Sequence, residues 1–251
     1  MLRRLLPVLL LAAALPTPMA QQAAPWQQEV RYEIDVVLLA DRHRLRGTER
    51  VAYTNNSPDT LRHVFFHLYF NAFQPTSLMA ERNRHLPDPD PRVVPRIFEL
   101  EEDEQGWHEI LALTQDGEAV DWRVYDTVLE VTPVRPIHPG ETTTFELAFR
   151  SQVPLQTRRS GRDSREGIAF SMTQWYPKVA AYDAIGWHAD PYVGREFYGP
   201  FATFDVRITA PADHVLGATG VLQNPAAVGH GYDATADSGG AGPTTAAPAA
   251  A

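Results

Sequence analysis

Glu29-Val30-Arg31-Tyr32-Glu33-Ile34-Asp35-Val36-Val37-Leu38-Leu39 is the stretch on which the reading of the whole chain turns. Val30, Tyr32, Ile34, Val36 and Leu38 fall on every second residue, with Arg31, Glu33 and Asp35 between them. Successive side chains of an extended strand point to opposite faces, so this period of two predicts a strand with one face on a core and the other in water. After a turn near Asp41 and Arg42, residues 45–54 read as its hairpin partner. Asn55-Asn56-Ser57-Pro58-Asp59 is a loop on chemical grounds, because these side chains either bond nearby backbone or fix φ for a turn.

Further strand patterns occupy residues 61–70, 110–114, 120–124, 127–132, 142–149, 201–209 and 215–222. Turn chemistry separates them at Gln115-Asp116-Gly117-Glu118, through the proline-rich stretch 133–140, and at Pro211-Ala212-Asp213. Pro75, Pro87, Pro89, Pro91 and Pro95 punctuate residues 74–108 and argue against a helix there. The acidic run 99–104 reads as a solvated loop, with a weak cation site as the alternative. Roughly ten strands without a long amphipathic helix predict an all-β fold, a saddle-like β-sandwich or large curved antiparallel sheets.

Residues 1–20 read as a secretory signal peptide, with Arg3 and Arg4 in front of an apolar run at 5–15 and Ala20 at the cut. That run is too short to span a bilayer as an ordinary helix, so no membrane span is expected after cleavage and the mature chain is expected to be periplasmic or secreted. The chain has no cysteine, so no disulfide staples it. Loss of Arg3 and Arg4 takes the formal charge from −9 to −11, and Lys178 is the sole lysine. Such an acidic chain lacks the clustered cations that phosphate backbones require, which argues against a nucleic-acid partner. Residues 226–251 turn to Ala, Gly, Thr, Pro and Asp, a low-complexity tail expected to be disordered.

Catalytic motifs are sparse. No His-Glu-x-x-His helix, no Gly-x-Ser-x-Gly elbow and no phosphate-binding glycine loop occurs. His63 and His67 have the spacing of a zinc helix, but the Val, Phe and Tyr around them favour a strand. Four residues of strand cover about 13 Å, whereas two nitrogens on one zinc lie within roughly 4 Å of each other. The pair therefore reads as structural, and residues 161–167 as a mobile polar surface loop. The remaining candidate is Ser171-Met172-Thr173-Gln174-Trp175-Tyr176-Pro177-Lys178. Its aromatics either pin a loop to the sheets, or Gln174 presents an amide tip to a bound polar group with Trp175 and Tyr176 as its wall.

Several of these segments, taken in order, carry a family resemblance. They are Tyr32-Glu33-Ile34-Asp35-Val36, Thr54-Asn55-Asn56-Ser57-Pro58, His67-Leu68-Tyr69-Phe70-Asn71, Thr173-Gln174-Trp175-Tyr176-Pro177-Lys178, Tyr182-Asp183, Gly186-Trp187, Phe197-Tyr198-Gly199 and Ala218-Thr219-Gly220. Together they resemble the N-terminal β-domain of the aminopeptidase N family of gluzincin zinc metallopeptidases, bacterial secreted type, over residues 27–225. The resemblance implies a non-catalytic domain that adds Gln174, beside Trp175 and Tyr176, to a peptide substrate pocket, with Gln174 near the substrate's N-terminal end. Tyr176 stands where aminopeptidases of the group often carry a Glu for the substrate ammonium. The zinc, its ligands and the catalytic residues belong to a domain this chain does not include. The chain is thus expected to hold no metal and no catalytic residue of its own, to read as a truncated product inactive alone, and to meet its peptide through a missing or separate catalytic domain. An orphaned interdomain surface would then show as an exposed apolar face and promote self-association. The alternative is a secreted β-sandwich module that binds peptides or glycans.

Overall fold

The computed structural model describes residues 26–194 and 197–228. The expected leader at 1–20 and the tail from 229 onward lie outside the described residues, as does Glu196 beside the Phe197-Tyr198-Gly199 motif. In chain order the strands are β1 (Glu29–Leu39), β2 (Arg44–Thr54), β3 (Val64–His67), β4 (Trp107–Gln115), β5 (Glu118–Ala119), β6 (Asp121–Tyr125) and β7 (Val128–Thr132). They continue as β8 (Thr142–Gln152), β9 (Gly161–Arg162), β10 (Phe170–Ser171), β11 (Lys178–Val179), β12 (Tyr182–Asp183), β13 (Gly186–Trp187) and β14 (Ala202–Thr209). One α-helix, α1 (Leu78–His85), interrupts them. The all-β expectation holds.

Six strands form one sheet in the order β14-β1-β2-β8-β4-β5, and four form a second in the order β11-β3-β7-β6. All pairings are antiparallel except β1 with β14, which run parallel. The inner face of β1 is buried at Val30, Tyr32, Ile34, Val36 and Leu38, the residues that the alternation selects. Between the sheets Val30, Tyr32 and Ile34 meet Val64, Phe66, Leu129, Val131 and Val179 of the second sheet, and Phe66 stands edge-on to Phe145 at 5.9 Å. Burial of such side chains stabilises by roughly 1.5–3 kcal/mol each before chain entropy is counted. A second apolar cluster, around Phe70, Phe73, Met79, Val93 and Ile97, lies under α1.

Local chemistry explains the turns. Asn55 is fully buried and spends its whole amide, donating to the carbonyls of Asp59 and Ile137 and accepting from Ser57 and Gln28. Asp116 and Gly117 both have positive φ, 49° and 85°, the geometry of the two-residue hairpin that an Asp-Gly pair favours.

Four expectations need correction. The helix that the prolines argued against exists, because residues 76–86 are free of proline and Ser77 caps it by accepting the Ala80 N–H at 3.1 Å. The strand expected over 61–70 shrinks to β3, since residues Tyr69–Ala72 close into a 3-10 turn that buries all four side chains. Residues 215–222 form no strand. Among the described residues they pair with no sheet edge, so their alternation alone does not make a strand. Finally, the loop at 161–167 is not all surface. Gly161 and Arg162 are buried and paired to β10, and a Cβ at Gly161 would sit 2.3 Å from Gln156 Cα.

One inward position breaks the apolar rule. Glu49 lies on the core phase of β2, is 2% exposed, and neither carboxylate oxygen has a hydrogen-bond partner. Burial therefore pushes its carboxyl well above the ordinary range and keeps it protonated. A raised folded-state pKa leaves the protein most stable below the unfolded value of about 4.3, and stability falls as pH rises toward the folded value. Glu49→Leu should accordingly raise unfolding free energy at pH 7 by roughly 2 kcal/mol, a gain that fades toward pH 4. Thermal melts of both proteins across that pH range check it, and a gain independent of pH would contradict a buried protonated Glu49.

Candidate functional site

Residues 172–177 link β10 to β11 across the seam of the two apolar clusters. Thr173 is fixed first. Its N–H donates to Ser160 Oγ at 3.1 Å, its carbonyl accepts from that hydroxyl at 3.0 Å, and the two hydroxyls lie 2.9 Å apart. Gln174 follows with φ +54°, a left-handed backbone that costs a residue with a Cβ roughly 1–2 kcal/mol. Its side-chain Oε1 is buried and has no hydrogen-bond partner. Trp175 is half-buried against both clusters.

Tyr176 lies deeper than its neighbours. It sits in the core with its ring edge-on to Tyr32 at 5.4 Å and to Phe204 at 5.7 Å. Burial, and then the nearby Glu49 carboxyl, push its hydroxyl pKa up, so it stays neutral. Of the three residues singled out from sequence, Gln174 and Trp175 therefore border the surface while Tyr176 supports them from below.

The next residues continue inward. Lys178 is buried on β11 opposite His67 of β3, and burial lowers its pKa. His67 Nε2 lies 3.1 Å from the His188 carbonyl, an acceptor, so Nε2 carries the proton and the buried Nδ1 is left unpaired. Burial lowers the His67 pKa to about 4, with Lys178 adding to the effect. His63 instead points to Glu130 at 3.1 Å, so the two histidines do not converge. His188 donates to Asp183 at 2.7 Å, and Tyr198 donates to the same carboxylate oxygen at 3.1 Å.

Among the described residues no three of His, Asp or Glu come together as a metal site. The cavity bordered by Phe73, Arg158, Ser160, Thr173, Tyr192 and Phe197 is about 10 Å³, room for about one water. A wider groove of about 540 Å³ crosses the six-stranded sheet between Glu33, Asp35, Arg50, Glu146, Asp205 and Arg207, and the Thr173–Gln174 loop takes no part in it. What the loop offers chemically is one buried amide oxygen without a hydrogen-bond partner, next to an indole. Sequence reading missed Ser160, whose anchoring of Thr173 spans 13 residues and left no local signal.

No protein-family model matches the sequence, and no curated protein matches it. The chain is similar to solved structures of an M1 zinc metallopeptidase from Deinococcus radiodurans. With a mutant bound to a Tyr-Ser-Ala substrate it shares 19% identity at a TM-score of 0.42, over 74% of this chain and 33% of that one. With the enzyme itself it shares 19% at a TM-score of 0.40, over 74% and 32%. The chain thus spans about a third of the length of the solved structures it matches.

The backbone at residue 174 is directly testable. Gln174→Gly should be more stable than Gln174→Ala by about 1 kcal/mol, because only the alanine keeps a Cβ in the left-handed region. Denaturant unfolding of the two variants measures the difference, and an alanine variant at least as stable as the glycine one contradicts that geometry.

Proposed function

We propose that this chain is the non-catalytic β-domain of an aminopeptidase N-like zinc metallopeptidase and supplies one wall of its peptide pocket. The sequence motifs support the family. The observation that carries the role is Gln174, a strained residue with a buried, unpartnered acceptor, on a loop beside which the cavity holds only about one water. Strain and an unsatisfied acceptor are features that persist where a ligand or partner makes use of them. In this reading Gln174 accepts an N–H at the N-terminal end of a bound peptide, and Trp175 provides apolar contact. Tyr176 holds the loop up and, lacking a carboxylate, supplies no counter-charge to an ammonium.

The second wall, the zinc and the residues that activate water belong to a catalytic domain beyond this chain, covalent or separate. Export to the periplasm or the medium is part of the same proposal and rests on the reading of residues 1–20. The chain alone would bind peptide weakly, since half a pocket recovers little of the ordering cost of association.

Titration with unblocked tripeptides, followed by tryptophan fluorescence, tests the proposal together with an aminoacyl-anilide assay in added zinc. The expected results are no hydrolysis and weak saturable binding with a Kd near ~1 mM, lost on Gln174→Ala. Zinc-dependent hydrolysis that chelation abolishes, or peptide binding indifferent to Gln174→Ala, would overturn it. Micromolar binding of peptides or oligosaccharides by the chain alone would favour a self-sufficient binding module instead.

A further inference from the structure

The edge of the six-stranded sheet is unfinished. β14 pairs with β1 in register, Tyr32 with Phe204, Ile34 with Val206 and Val36 with Ile208, so these three residues extend the face that forms the core. On β1 that face is at most 3% exposed at these positions, whereas Phe204, Val206 and Ile208 are 41%, 41% and 37% exposed. Among the described residues no strand pairs with the far side of β14. A long edge strand with an apolar face and free backbone groups is a template for another strand, and neither proline nor lysine protects this one.

We propose that β14 pairs with β14 of a second copy of this chain, antiparallel and about a two-fold axis through Val206. The charge pattern argues for this occupant and this register. With Val206 on the axis, Asp205 faces the partner's Arg207 and Arg207 faces the partner's Asp205. Phe204 meets the partner's Ile208 on the core face, and Thr203 meets the partner's Thr209. Moving the axis to Asp205 or to Arg207 sets like charges against each other. Moving it by half a residue puts apolar side chains opposite polar ones. The Val206 register alone sets Asp205 against Arg207 while keeping apolar residues opposite apolar ones, and a two-fold contact makes each favourable pair occur twice. Arg207 already donates to Asp35 on β1 at 2.5 Å, so its guanidinium is held in line to be shared between two carboxylates. The result is one sheet continuous across two copies, with the Phe204, Val206 and Ile208 strip covered.

This pairing does not depend on the peptidase reading, and its test reads mass alone. Sedimentation of the purified full chain should show a concentration-dependent dimer. Asp205→Arg and Arg207→Asp should each weaken it about ten-fold or more, because two attractive cross-strand pairs become two repulsive ones. Mixing the two variants should restore a dimer, since each then meets the opposite charge in the other, and this gain cannot arise from misfolding. A wild-type chain that stays monomeric at its highest soluble concentration would overturn the proposal. So would a dimer whose strength ignores both substitutions, or a mixture that fails to reassociate while circular dichroism shows both variants folded. A different segment or protein lying along β14 would give the first of these results.

Discussion

Tyr32 ties together the parts of this molecule that matter for its use. Its ring lies flat on Phe204 of β14 at 4.7 Å and meets the edge of Tyr176, while its hydroxyl accepts the N–H of Val179 at 2.9 Å. One fully buried side chain on the six-stranded sheet thus supports the last strand, the base of the Gln174 loop and the edge strand of the second sheet. Val179 sits at the end of its sheet, and the Tyr32 hydroxyl gives that otherwise unpaired buried donor its acceptor. Burial, with Tyr176 and Glu49 nearby, holds the hydroxyl pKa well above its ordinary value, and the Val179 N–H donated to its oxygen offsets only part of that rise.

Two incomplete features radiate from that point. Below Tyr176 the support is solid, and above it Gln174 holds a strained backbone and an unused acceptor. Beside Phe204 the sheet stops with its core-side face still open to water. A folded chain tolerates such features at a cost, and each makes sense where something else completes it. The two lie on different sides of Tyr32 and call for different partners, a peptide with its second wall at one and a matching strand at the other.

Much of the fold is legible in the sequence alone. The alternation in β1 gave its burial residue by residue, the segment after it read as the hairpin partner that β2 is, and Asp116-Gly117 gave its hairpin turn, because these are local rules. Glu49 was legible too in hindsight, since it falls in phase with Leu45, Val51 and Tyr53 on the inward face of β2. What eluded the sequence was non-local or competitive. Proline density outweighed the Ser77 cap that starts α1, and the alternation at 215–222 could not reveal that this segment joins no sheet. At the candidate site, composition and resemblance singled out Gln174, Trp175 and Tyr176. The division of labour among them depends on contacts to Tyr32 and Phe204, more than a hundred and nearly thirty residues away, and no local pattern encodes it.

Hydrogen exchange with Tyr32→Phe tests the central role of Tyr32 most directly. The substitution keeps the ring and removes only the acceptor, so the Val179 amide should exchange far faster, the 173–178 loop should lose protection with it, and unfolding free energy should drop by about 1–3 kcal/mol. Unchanged protection at Val179 together with unchanged stability would contradict the claim that this hydroxyl holds the two sheets and the Gln174 loop in place.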